Sequence, residues 1–244
     1  MHELVEGDLF MQLILIFCTL IALCQPLAAA GQSGTAFHET RPGYDEGWTM
    51  PRTSVIIDVG HGGIDGGAFY GDTLEKDINL AIAKKLYLLL QSQGIPAVMN
   101  RTGDYALSDD NRWHQTSSRH RRDLSQRRQL TDEINSEILV SLHVNSVKNK
   151  SRRGPLVLHQ AQGESALLAF CLQNALNRQQ QTTGTAREGE PFYLLRRVDQ
   201  PSVIVEMGFI SNAEDRSMLT DSRKQLEIAQ AIASGIWQYK WIAH

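Results

Sequence analysis

Residues 54–67 read SVIIDVGHGGIDGG, and the fold follows from how that stretch changes character. Ser54, Val55, Ile56 and Ile57 form a short run rich in β-branched residues and bounded downstream by glycine, which predicts a buried strand. Asp58, Val59 and Gly60 carry the chain to His61, after which Gly62, Gly63, Gly66 and Gly67 make a glycine-rich loop. Glycine admits tight and left-handed backbone and lets it approach a ligand closely. A histidine where a strand becomes such a loop is held at a rigid edge and faces open space. Three more polar residues occupy comparable positions further on, Glu75, His143 and Glu206, and with His61 they suggest a zinc site.

Working outward, Glu75 to Gln93 places Ile78, Ile82, Leu86 and Leu89 at helical spacing, and Gly94 and Pro96 stop the helix. Ala97 to Asn100 reads as a second strand, and 102–122 as a long polar surface excursion. A helix is expected over Asp123 to Asn135, then strands over Ile138 to His143 and Pro155 to His159. Glu164 to Gln179 is an amphipathic helix through Leu168, Leu172, Ala175 and Leu176. Pro201 to Met207 is a strand ending at Glu206, Ser211 and Glu214 form a capping-box pattern, and a last helix carries Leu226, Ala229, Ile232 and Ile236.

Strands alternate with helices and are uninterrupted apolar runs. This predicts an α/β fold: a mostly parallel twisted sheet with helices on both faces, in a single catalytic domain over 53–242. Ligands of such sheets bind outside the carboxyl ends of the strands. His61, His143 and Glu206 each fall at such an end, and Glu75 opens the helix that packs back from the same edge.

Two imidazoles and one carboxylate with an open fourth position are a ligand set for catalytic zinc. A second carboxylate beside the metal suits proton transfer. Glu206 is the candidate, because it ends a buried apolar strand where an unpaired acid is costly. Blander readings stand beside this one. A strand-end histidine can be structural, and Glu75 can simply favour a helix dipole. His38, His114, His120 and His159 are chemically equal as ligands. A phosphate loop is excluded, since no Lys-Ser or Lys-Thr follows the glycines.

The ends bear on location. Leu9 to Leu23 is almost unbroken apolar sequence, and Ala28-x-Ala30 has the small-residue pattern of a secretory cleavage site. Residues 1–30 are therefore expected to be a signal peptide or an N-terminal membrane anchor, with 31–52 a linker. Glu3, Glu6 and Asp8 precede the apolar run without any Lys or Arg, unlike an ordinary signal, and a start at Met11 would remove them. Those three acids account for the whole net charge of −3, so the remainder is neutral, which argues against nucleic-acid binding. Cys18 and Cys24 sit in the leader. Cys171 lies in an apolar helical pattern and is expected in the core.

The phrases DVGHGGIDGGA (58–68), EKDINLAIAKKL (75–86), SLHVNS (141–146) and VEMGFISNAED (205–215), in this order, resemble the zinc-dependent N-acetylmuramoyl-L-alanine amidases, from about Val55 to Tyr239. The resemblance implies one zinc on His61, Glu75 and His143, with Glu206 the catalytic glutamate. It implies cleavage of the amide between N-acetylmuramic acid and L-alanine of the stem peptide. The leader-plus-one-domain layout is most similar to the germination-specific amidases, which trim cortex peptidoglycan so that muramic δ-lactam can form. A general cell-separation autolysin and a non-catalytic wall-binding relative are the alternatives. The expected location is extracytoplasmic, in the cell or spore envelope, with peptidoglycan as substrate. A membrane contact through the leader and an activating partner protein are further expectations. Asn145, Arg119, Arg121 and Arg122 are the candidate substrate contacts. Of the arginines crowding 112–128, some are expected on a solvated helix face.

Overall fold

The computed structural model describes residues 53–109 and 115–243. The expected leader and linker, together with His38, Arg112 and His114, lie outside the described residues. Strand β1 spans Thr53–Val59, longer than its apolar run, and all seven residues are buried. After the glycine loop a two-residue hairpin, β2 (Phe69–Tyr70) and β3 (Thr73–Leu74), feeds helix α1 (Glu75–Ser92). The amide hydrogens of Glu75 and Lys76 donate to the carbonyls of Ala68 and Gly66. The glycine loop therefore caps α1, which no side chain at Leu74 does.

Strand β4 (Ala97–Met99), helix α2 (Arg119–Glu133), strand β5 (Ser136–Asn145), strand β6 (Leu156–His159) and helix α3 (Gly163–Gln180) follow. Then come β7 (Arg187–Glu188), α4 (Tyr193–Arg197), β8 (Ser202–Phe209), α5 (Ala213–Thr220) and α6 (Ser222–Ala243). The sheet order is β4-β1-β5-β8-β6-β7. Every pairing is parallel except β6 with β8, so the fold is the expected mostly parallel α/β sheet.

Both faces of the sheet are covered, and the two-residue strand period sorts the side chains between them. Val55, Ile57 and Val59 of β1, Val140 and Leu142 of β5, and Val203 and Val205 of β8 join Ile82, Leu86, Leu168, Leu172, Ile232 and Ile236 in the larger core. Ile56 and Leu139 point the other way and pack with Leu124, Leu194 and Val198 beneath α2 and α4. Each such aliphatic side chain contributes about 1.5–3 kcal/mol when fully buried. Cys171 is buried in the larger core, as its pattern indicates. Among the described residues no helix is long and apolar enough to cross a membrane.

The structure corrects several local expectations. Helix α2 begins at Arg119 rather than Asp123, because Ser118 accepts a hydrogen bond from the Arg121 amide as an N-cap. The polar Arg119–Arg122 stretch therefore makes a first helical turn within the expected excursion. The anticipated capping box does not form. Asn212 is the cap, accepting from the Glu214 and Asp215 amides, while the Ser211 hydroxyl accepts from the Val147 amide. Leu226 is 38% exposed, and Ile228 takes the core position instead. Among the arginines crowding 112–128, Arg127 is buried, because two carboxylates, Asp58 and Asp123, meet it.

Candidate metal centre

His61, Glu75 and His143 converge at the carboxyl edge of the sheet, each offering one donor atom, all within 4.8 Å of one another. Their positions follow from the local chain. His61 leaves the end of β1 at φ 61°, a left-handed conformation sparsely used by residues other than glycine and concentrated at functional sites. Glu75 is the first residue of α1. His143 lies near the end of β5, in register with Glu206 on β8.

Nε2 of His61 lies 3.2 Å from one Glu75 oxygen and Nδ1 of His143 lies 3.0 Å from the other. The Glu75 carboxylate also accepts from the Ala68 amide at 2.7 Å and the Val144 amide at 2.9 Å. Burial opposes its ionisation, but the two imidazoles outweigh that and hold it well below the usual carboxylate range. His61 is pulled up by Glu75 and Asp65 against its own burial. Asp65 Oδ1 sits 3.2 Å from Nδ1 of His61, on the ring edge turned away from Glu75. The Asp65 charge therefore acts on the ring from the side opposite Glu75.

The three donor atoms, all within 4.8 Å of one another, are close enough to share a single ion whose ligands stand about 2.0–2.1 Å from it. The backbone of two glycines presses closely on the ligands. A Cβ on Gly67, which has φ 69°, would stand 2.5 Å from Glu75 Oε2. One on Gly60 would stand 2.5 Å from His143 Cε1. Glycine at these two positions lets the loop close on the ligands.

Glu206 lines the same cleft of about 480 Å³. It is buried, and its Oε2 has no hydrogen-bond partner. Burial, helped by the Glu75 charge and opposed by the two histidines, pushes its carboxyl up to about 7. Of the candidate substrate contacts, Asn145 lines the cleft and the three arginines do not. Arg119 lies 3.7 Å from Asp65, Arg122 donates to the Thr116 carbonyl, and Arg121 is exposed.

His120, weighed as a ligand, lines the cleft wall, whereas His159 is carried away from it. Because β6 runs antiparallel to β8, His159 stands beside Val203 at the start of β8 while Leu156 stands beside Glu206. The opposite wall, Pro191, Phe192, Tyr193 and Leu194, was not anticipated. Its only sequence signal is an aromatic pair after Pro191, in a segment too short for periodicity.

Comparison with known proteins gives the same frame. A family described as N-acetylmuramoyl-L-alanine amidase matches residues 55–238. The germination-specific N-acetylmuramoyl-L-alanine amidase of Bacillus subtilis is 33% identical over 196 residues, 79% of this chain and 82% of that one. The CwlD amidase of Clostridioides difficile, solved in complex with the GerS lipoprotein, matches with a TM-score of 0.73 at 33% identity, over 78% of this chain and 99% of its own. The amidase AmiC2 of Nostoc punctiforme matches at 31% identity and a TM-score of 0.65, over 78% and 98%. The matched span runs from the strand that delivers His61 to the last helix of the sheet's cover, and the chain belongs to the N-acetylmuramoyl-L-alanine amidase family.

Proposed function

We propose that this chain is a zinc-dependent peptidoglycan amidase in which His61, Glu75 and His143 hold one zinc ion and Glu206 moves the proton. The observation that carries the reading is the contrast within one cleft between three convergent donors and a buried carboxylate oxygen with no partner. When bound, zinc polarises a carbonyl and acidifies water to a pKa of about 7. The chain's residues supply the rest. Glu75 and the two imidazoles fix the ion at the strand ends. Glu206 Oε2, free of other bonds, accepts a proton from the attacking water and returns it to the leaving amine of L-alanine. A buried carboxylate with an unpartnered oxygen in the same cleft is placed for both halves of that transfer.

The bond cleaved is the amide between the lactyl group of N-acetylmuramic acid and L-alanine. A role in spore cortex, preparing muramic δ-lactam, draws on the name of the Bacillus subtilis relative. The apolar leader at 1–30 supports export to the envelope, with the domain joined to it through 31–52. The GerS lipoprotein bound to the Clostridioides difficile relative supports a partner protein here as well.

Mass spectrometry of digested peptidoglycan tests the assignment. The expected products are stem peptides with a free L-alanine amino terminus and glycan bearing the muramic carboxylate. Release of acetate, or of shortened peptides with the muramyl link intact, would replace the amidase with a deacetylase or a peptidase.

A further inference from the structure

Beneath His61 the backbone carbonyls turn inward onto two buried arginines. Arg127 donates from Nη1 to the Val59 carbonyl at 2.8 Å and from Nη2 to the His61 carbonyl at 3.0 Å. Arg101, only 1% exposed, donates from Nε to the Val59 carbonyl at 3.2 Å and from Nη2 to the Gly60 carbonyl at 3.1 Å. The same Nη2 reaches the Lys76 carbonyl at 2.9 Å. One guanidinium therefore ties the carbonyl before His61 to that of Lys76, the residue after Glu75. Asn79 repeats the link, donating to the Gly60 carbonyl at 3.2 Å and to Glu75 Oε1 at 3.4 Å.

The third donor is joined through Asp58. Its carboxylate meets Arg127 Nη1 at 2.6 Å and accepts from the Ser141 hydroxyl at 2.5 Å, two residues before His143. Asp123 closes the set by accepting from Arg127 Nε at 2.6 Å. Burial works against the Asp58 charge, but Arg127 and Ser141 keep the carboxyl below its usual range. Arg101 differs from Arg127 in that its hydrogen bonds go to backbone carbonyls, those of Val59, Gly60, Lys76 and Gly103. A buried guanidinium bonded only to backbone is costly to desolvate. Packing alone offers no return for that cost, since an apolar side chain would fill the same space. What the planar fork supplies is several directed donors fixed in one geometry.

We infer that Arg101 and Arg127 are positioning residues for the metal centre: they clamp the carbonyls of Val59, Gly60 and His61 and so hold His61 in its left-handed conformation at the distance from Glu75 that a shared ion requires. The inference rests on the zinc reading above and deepens it, because it names what fixes the donors before any ion arrives. Removing the clamp frees His61 to relax toward ordinary backbone, which opens the donor set and leaves the sheet intact.

The test measures zinc affinity by chelator competition, per folded molecule, on Arg101→Lys and Arg127→Lys. The cobalt-substituted absorption spectrum reports the coordination geometry. Both variants keep the buried charge and lose the fork. Leu172→Ala, in the core remote from the site, serves as a control for lost stability alone. The clamp predicts zinc affinity weakened roughly 10–100-fold and a shifted cobalt spectrum in both arginine variants. Leu172→Ala is expected to bind zinc as the parent does, although less stable. Parental affinity and spectrum in folded Arg101→Lys and Arg127→Lys would overturn the inference while leaving the zinc reading intact. If neither variant folds even with zinc present, the arginines serve the fold and not the site, which also overturns it. A parent chain that binds no zinc would overturn the metal reading itself, and the clamp with it.

Discussion

At the start of α1, Glu75 accepts from two backbone amides and faces two imidazoles, and its carboxylate is held ionised. Within β8, in register with His143, Glu206 is also buried and has an oxygen with no partner. The same side chain thus sits in two surroundings that push its acidity apart. Groups whose environments separate their protonation in this way divide into a permanent anion and a proton carrier. The permanent anion is suited to hold a cation. The carrier is suited to meet a proton that comes and goes.

The largest effect expected from breaking this pair of regions lies on the metal side. His61→Ala and His143→Ala each remove a donor from a set of three. Activity on purified peptidoglycan should fall by more than about 100-fold, and bound zinc should be lost with it, since even changes one step removed from a ligand cost about 10–100-fold. Stoichiometric zinc in the double variant, read by elemental analysis, would remove these histidines from the metal site.

The Glu206 side is sharpened by pH in the metal-free protein. Its carboxyl, raised by burial to about 7 from an ordinary 4.5, favours the neutral form in the fold. Its contribution to stability is therefore complete below pH 4.5 and is lost as pH rises through about 7. Glu206→Gln removes that loss. The variant should match the parent near pH 4 and be more stable by roughly 2–4 kcal/mol at pH 8, measured by urea unfolding after chelation. His61 titrates in both proteins and interacts with Glu206, so the difference between them reports Glu206 together with that coupling. Equal stability of the two at pH 8 would mean that water or a neighbour solvates Glu206 after all.

How much of this division is legible in the sequence depends on what each residue is surrounded by along the chain. The strands at 54–57 and 138–143 are legible because short, largely apolar runs lead into glycine or histidine, and four polar residues at strand or helix edges give the cleft. Arg127 is not, because six arginines crowd 112–128 and a charge run reads as surface. Only the sheet brings Asp58 beneath it, 69 residues away. The start of α2 is hidden for a related reason, since Arg-His-Arg-Arg has no apolar period and Ser118 is one of several serines. The reversed β6 is also invisible, because an apolar run has the same pattern in either direction. Asp65 gave the clearest missed signal, an acid four residues after His61 within a glycine loop.

A smaller effect is expected at the rim. Arg119 sits beside Asp65, Arg121 is exposed, and Arg122 is engaged by the Thr116 carbonyl. Charges there act on an anionic polymer at long range only, screened over about 8–10 Å at ordinary salt. Arg119→Gln combined with Arg121→Gln should raise the KM for polymer about threefold at low salt, with the difference vanishing at high salt and zinc content unchanged. A KM equal to the parent's at low salt would make both arginines ordinary surface.

The division of labour between the two glutamates is tested most directly by zinc content and turnover measured side by side on Glu75→Gln and Glu206→Gln. Glu206→Gln should retain about one zinc per chain while turnover falls about 10²–10⁴-fold. Glu75→Gln should lose the metal and the activity together. If Glu206→Gln loses zinc to the same extent, or keeps parental turnover with its zinc, the two carboxylates do not have the separate roles assigned to them.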